Sequence, residues 1–253
     1  MWLLSKFTLC LLLVSLVTFL LGSVHGEHEL DFTVDFFKVH IDSWTFLHKE
    51  IKRTVLLRHA IAAFNDDVDI LDIDTDIPLN YLEVGSFEGR STTWMLENVL
   101  QHPDSRITCI DTWEGSTDFI DFFPVFPVDI FERFLLNIAP YKSKVSTYQG
   151  RSNVMLKDPK VLVQKFDFIY IDAGHTSVNA LEDAVLAYPL LKVGGVMTFD
   201  DYLWQDGVES LHALLKPKKG IDAFLEIYSG TYQVVQSKYQ VIIQKLADEM
   251  ATS

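Results

Sequence analysis

Four residues in the C-terminal half are the most chemically suggestive in this sequence: Asp172 and His175 in YIDAGH, and the pair Asp200 and Asp201 in FDDYLW. Asp172 closes one short apolar run, Phe166 to Asp172, and Asp200 closes the next, Gly195 to Asp200. Neighbouring strands lie about 4.8 Å apart, so two such runs side by side bring their end carboxylates into one small volume. Converging carboxylates repel unless a proton or cation joins them, and a magnesium ion with retained waters suits that volume. Asp172, Asp200 and Asp201 are its candidate ligands; helix capping or surface solvation is the other reading of the same groups. His175 follows the strand-end aspartate and a glycine, and an unperturbed pKa of about 6.5 suits removal of a hydroxyl proton at neutral pH. A structural histidine is the alternative.

A second group begins with YLEVGSFEG, which contains Glu83, Gly85, Ser86 and Gly89. A dinucleotide fingerprint counted from Gly85 requires glycine at 87 and 90, where this chain has Phe87 and Arg90. Phe87 occupies the position where a missing side chain admits a pyrophosphate, which disfavours NAD. Asp111 and Thr112 follow in CIDTWEG. A carboxylate such as Asp111 can accept from two vicinal hydroxyls at once. The glycines can equally serve a strand-to-helix turn, Glu83 can pair locally, and Asp111 can cap a turn.

From Asn80 onward, short apolar runs alternate with helix-length stretches. The runs are Asn80 to Val84, Arg106 to Asp111, Lys144 to Tyr148, Phe166 to Asp172 and Gly195 to Asp200. Helices are expected over Arg90 to Leu100, Val128 to Ile138, Val154 to Gln164 and Val178 to Leu191. This alternation means an α/β fold, a doubly wound and mostly parallel sheet with helices on both faces. After a helix around Ile221 to Tyr228, the runs Thr231 to Ser237 and Tyr239 to Gln244 have almost no linker and form an antiparallel hairpin. Upstream, Asp31 to Phe64 shows apolar residues at helical spacing, followed by the acidic stretch Asp66 to Asp76. That stretch lacks the glycine and closing glutamate of an EF-hand and reads as a solvated connector.

The candidate residues, within a span of roughly Tyr81 to Gln244, resemble the class I S-adenosylmethionine-dependent methyltransferases. The segment from Phe166 to Trp204 is similar to the catechol and caffeoyl-coenzyme A O-methyltransferases. DAGH and FDDYLW resemble more closely the methyltransferase-domain (type 24) family, related to the cephalosporin hydroxylase type. The resemblance implies a seven-stranded Rossmann-like sheet whose terminal hairpin supplies the antiparallel seventh strand. It also implies S-adenosylmethionine as cofactor, held by Glu83, Gly85, Ser86, Gly89, Asp111, Thr112, Ser152 and Asp172. In those enzymes an acid at the position of Asp111 bonds both ribose hydroxyls, and a loop matching Gly150-Arg151-Ser152 borders the adenine. Their metal ligands read Asp, Asp and Asn where this chain has Asp172, Asp200 and Asp201, and His175 stands where the catechol-type enzymes carry a general-base lysine. His175 and Asp172 are thus the catalytic candidates, S-adenosylmethionine and Mg2+ the implied cofactors, and a small molecule the methyl acceptor. Trp113, Phe119, Phe122, Phe123 and Phe126 can form an aromatic lid or ordinary core. Two rivals are a hydroxylase-like oxygenase and a non-catalytic binding protein that keeps the fold.

Composition bounds the rest. The 253 residues carry a formal charge of −14, with lysine and arginine scattered, which argues against nucleic acid as a partner. Phe7 to Val24 is uncharged, follows Lys6 and ends in small residues, a signal-peptide pattern with a cut after Gly26. An uncleaved anchor is the alternative, and the only route to membrane association. The expected organisation is therefore a signal peptide over 1–26, a helical region and connector over 27–78, and a catalytic domain over 79–247. Cys109 would be the sole cysteine after cleavage, so no internal disulfide forms, and its strand setting predicts an inert buried thiol.

Overall fold

The computed structural model describes residues 77–115, 129–204 and 216–248, all within the unit Asp42–Ser253. The N-terminal segment, the helices expected before residue 65, the acidic connector and Phe119, Phe122, Phe123 and Phe126 lie outside the described residues. Among the described residues no helix is long and apolar enough to cross a membrane.

Seven strands form one sheet: β1 (Asn80–Val84), β2 (Arg106–Asp111), β3 (Val145–Gln149), β4 (Phe166–Ile171), β5 (Leu191–Phe199), β6 (Tyr232–Ser237) and β7 (Val241–Lys245). Their order is β3-β2-β1-β4-β5-β7-β6. The first five run parallel, whereas β7 lies antiparallel between β5 and β6. The helices are α1 (Arg90–Asn98), α2 (Ile130–Asn137), α3 (Ser152–Met155), α4 (Pro159–Leu162), α5 (Ser177–Ala187) and α6 (Lys218–Ile227). The doubly wound α/β class and the C-terminal hairpin are as the sequence implies.

Pleating explains how the sheet makes two cores. In β1, Leu82 and Val84 join a cluster with Ile169, Ile171, Ala180, Ala184 and Phe224. Tyr81 faces the opposite cluster with Cys109, Tyr170, Met95 and Phe134. Every residue of β4 is buried, as expected for a central strand covered on both faces, while the edge strands β3 and β6 are half exposed.

Two expected helices differ in form. The single helix over Val154 to Gln164 is instead α3 and α4, because Asp158 caps a new start at Lys160 N and Pro159 can only open a helix. The helix expected to reach Leu191 ends at Ala187. Pro189 lies in a 3-10 turn, Tyr188–Leu190, and Leu191 already begins β5.

Candidate active site

After β3 the chain crosses back to place β4 beside β1, so the strand order reverses between β1 and β4. Ligands in open α/β sheets collect beyond the carboxyl ends of the strands at such a switch point. Gly85 stands there at φ 93°, and its N–H donates to the Ile110 carbonyl at 2.8 Å. A Cβ at Gly85 would lie 1.9 Å from the Asp172 carbonyl oxygen. Gly85 therefore permits the ends of β1 and β4 to touch. Gly89, at φ 82°, caps α1 over the Phe134 ring.

Asp111 ties this region together. One carboxylate oxygen accepts the N–H groups of Ser86 and Phe87, both at 2.8 Å, and the other accepts that of Trp113 at 2.7 Å. By the usual count of four acceptor positions, one remains on Oδ1 for a donor hydroxyl. Thr112 accepts from Glu114 N and its carbonyl accepts from Gln149 Nε2. Gly150 N–H donates to the Asp111 carbonyl at 2.8 Å, which brings the loop before Ser152 to the end of β2. Glu83 is fully buried and accepts from Tyr81 at 3.2 Å and from Thr92. Burial pushes its carboxyl up against the opposing pull of those hydrogen bonds. Its local pairing is the simpler of the two roles read from sequence. Trp113 is buried against Phe131 and Phe134, at 4.6 and 4.9 Å between ring centres, and so belongs to the core.

At the ends of β4 and β5 the structure assembles Asp172, His175 and Asp201, with one ligand atom from each lying within 4.8 Å of the others. His175 is buried, with Nε2 3.1 Å from Asp201 Oδ2 and its ring 4.9 Å from that of Trp204. Burial and the carboxylates of Asp200 and Asp201 push the Asp172 carboxyl well up, while His175 pulls it down. Asp200 is engaged differently from the expectation that it completes a carboxylate triad. Its Oδ2 accepts from Tyr170, and its Oδ1 accepts from Gln240 Nε2 and Asp201 N, both at 2.9 Å. The cluster therefore contains an imidazole where the sequence suggested a third carboxylate.

Sequence reasoning missed Tyr170, Tyr239 and Gln240. Tyr239 donates to Asp201 Oδ1 at 2.7 Å. The antiparallel register was the available signal, because β7 runs toward the amino end of β5 and so begins beside its carboxyl end. Among the described residues, three non-glycine residues have positive φ: Phe87, Trp113 and Asp201. All three follow strands at this end of the sheet, and such backbone conformations concentrate at ligand sites.

Comparison with known proteins agrees with this fold. A family model described as a methyltransferase domain, type 24, matches residues 82–202. No curated protein matches in sequence. The O-methyltransferase NovP is 16% identical with a TM-score of 0.55, over 79% of each chain. Cofactor-bound Rv0187 from MTB is 14% identical with a TM-score of 0.51, over 94% of this chain and 90% of its own. At those identities the solved structures speak to the fold, and the domain match speaks to the activity. Residues 82–202 thus resemble a methyltransferase domain, carried on a fold shared with S-adenosylmethionine-dependent O-methyltransferases.

Proposed function

We propose that the protein transfers a methyl group from S-adenosylmethionine to a hydroxyl of a small molecule, with His175 as the general base. The observation that carries this reading is the 3.1 Å contact between His175 and Asp201 beside the β1/β4 switch point. The cofactor fits the residues present: Asp111 keeps one acceptor position, and no pyrophosphate-type glycine loop competes for the site. Gly85, Ser86, Gly89, Asp111, Thr112 and Ser152 would border it, and Asp172 would close the crevice. When bound, S-adenosylmethionine supplies a sulfonium methyl group that passes to the hydroxyl oxygen. His175 accepts the hydroxyl proton as the C–O bond forms, and Asp201 stabilises the resulting imidazolium. The buried ring fixes the direction of approach, and positioning supplies much of the rate.

A second reading rests on the cluster itself. Asp172, His175 and Asp201 are close enough to hold a divalent ion, and a mixed imidazole and carboxylate set suits manganese or zinc better than magnesium. There the ion would lower the acceptor's pKa and His175 would be its ligand. This set has one histidine, unlike the two-histidine, one-carboxylate arrangement of non-haem iron oxygenases, so it lends no support to the oxygenase rival.

Calorimetric titration with S-adenosylmethionine, followed by turnover of a panel of hydroxylated acceptors with EDTA or with added Mn2+ or Mg2+, separates these readings. No cofactor binding by the wild-type chain would refute both. Metal-dependent turnover, lost in Asp172→Asn and Asp201→Asn but kept in Asp200→Asn, would select the ion.

We further propose that residues 1–26 direct the chain into the secretory pathway and are removed, with domain borders near 26/27 and 78/79. N-terminal sequencing of protein made in a eukaryotic host should begin near Glu27, whereas intact Met1 in the membrane fraction would indicate an anchor.

A further inference from the structure

We infer that Tyr239, in the turn of the C-terminal hairpin, is a positioning residue for the His175 and Asp201 pair. The inference rests on the proposed role of His175. The paired residues of β5 and β7 run from Val196 opposite Gln244 to Phe199 opposite Val241. Continuing that register past the ladder sets Gln240 opposite Asp200 and Tyr239 opposite Asp201. The side-chain bonds follow the same pairing: Gln240 Nε2 donates to Asp200 Oδ1 at 2.9 Å, and Tyr239 Oη donates to Asp201 Oδ1 at 2.7 Å.

The two oxygens of Asp201 thus have different partners, Tyr239 on Oδ1 and His175 on Oδ2. A carboxylate held at one oxygen presents the other in a fixed direction. That matters here because Asp201 sits at φ 54°, a left-handed conformation that few residues other than glycine, asparagine and aspartate adopt and that external bonds make more secure. The support comes from the turn: Tyr239 bonds the side chain, and its carbonyl accepts the Leu203 N–H at 3.4 Å, just beyond Asp201. Lys238 N bonds to Gln240 O at 2.9 Å and tightens the turn. The hairpin turn before β7 therefore contributes two side chains to the functional end of the sheet, one on each aspartate of the Asp200-Asp201 pair.

The test compares Tyr239→Phe with Asp201→Asn and the double variant. Imidazole nitrogen NMR of His175 reads the pair directly and needs no acceptor. Tyr239→Phe should displace the His175 resonances in the same direction as Asp201→Asn, and in the double variant should add nothing further. Cofactor affinity should stay within about twofold of wild type, and turnover of any accepted hydroxyl should fall roughly tenfold with KM unchanged, the scale of one hydrogen bond to a charged group. A thermal melt identifies any variant that fails to fold, and then Tyr239→His, which keeps a donor in the turn, should restore the wild-type resonances. Wild-type resonances in folded Tyr239→Phe, with displaced ones in Asp201→Asn, would overturn the inference even in an active enzyme. Failure to find any methyl acceptor would instead count against the proposed function and leave the NMR outcome to decide the role of Tyr239.

Discussion

At the ends of β1 and β2, backbone groups do most of the holding: three N–H groups converge on Asp111, and Gly85 lets the chain pass against the Asp172 carbonyl. At the ends of β4 and β5, side chains hold one another: His175 on Asp201, Tyr239 on Asp201, and Tyr170 and Gln240 on Asp200. The first half depends on where the main chain runs. The second depends on which side chains arrive, some of them from the distant turn between β6 and β7. A binding surface made by the first means should fail through its geometry, and a reactive cluster made by the second through its chemistry.

The largest expected effect breaks the backbone half. Gly85→Ala places a Cβ 1.9 Å from the Asp172 carbonyl oxygen at φ 93°. Overpacking and left-handed strain each cost about 1–3 kcal/mol, so the melting temperature should fall by several degrees or the chain should not fold. An unchanged melt would show that β1 and β4 do not meet as described.

Next comes the side-chain half. In its proposed role as base, His175 acts on the substrate proton, so His175→Ala should lower kcat by about 10² to 10⁴ while leaving cofactor affinity nearly unchanged. A parallel loss of S-adenosylmethionine binding by calorimetry would move His175 out of the reactive cluster and into the cofactor's contacts.

The two halves also differ in what the sequence discloses. The glycine turn after β1, the acid after β2 and the ends of β4 and β5 sit at fixed distances along the chain, and strand alternation alone locates them. Both β1 and β2 occupy the residues their apolar runs suggest. The partners of Asp200 were hidden because Tyr170 is a core residue by pattern, and Gln240 comes within reach only once β7 is known to pair antiparallel with β5. Spacing likewise reveals which carboxylates share a strand end, but not that His175 joins Asp172 and Asp201 within 4.8 Å while Asp200 bonds Tyr170 and Gln240. Cys109 was legible in full, a buried thiol pushed up by burial and beside Glu83.

A middle-sized effect tests how far Asp111 serves the ligand and how far the loop. Asp111→Ala removes the carboxylate that accepts from three N–H groups as well as the charge offered to a hydroxyl. Loss of a hydrogen bond to a charged group costs about 1.5–3 kcal/mol, so cofactor affinity should weaken by roughly 10- to 150-fold. Asp111→Asn keeps one acceptor oxygen, and its affinity should fall between wild type and alanine. Equal losses in the two variants would mean that the loop clamp contributes nothing separate from charge.

The smallest effect asks whether the cofactor half is purely a backbone construction. Ser152, in the loop brought to β2 by Gly150, pulls downward on the carboxyl of Asp183 in α5, a buried group that burial raises from 3.8 to about 7. Between those two values the folded chain binds this proton more tightly than the unfolded chain, so the group lowers stability as pH rises from about 4 to about 7. Above pH 7 the loss is complete and the contribution levels off. Asp183→Asn stays neutral throughout and still offers Ser152 an acceptor oxygen. Urea unfolding at pH 5 and at pH 7.5 should therefore show a smaller drop in stability for the variant than for wild type. Identical drops would mean that Asp183 ionises alike in both states, and that the loop at Ser152 leans on backbone support alone.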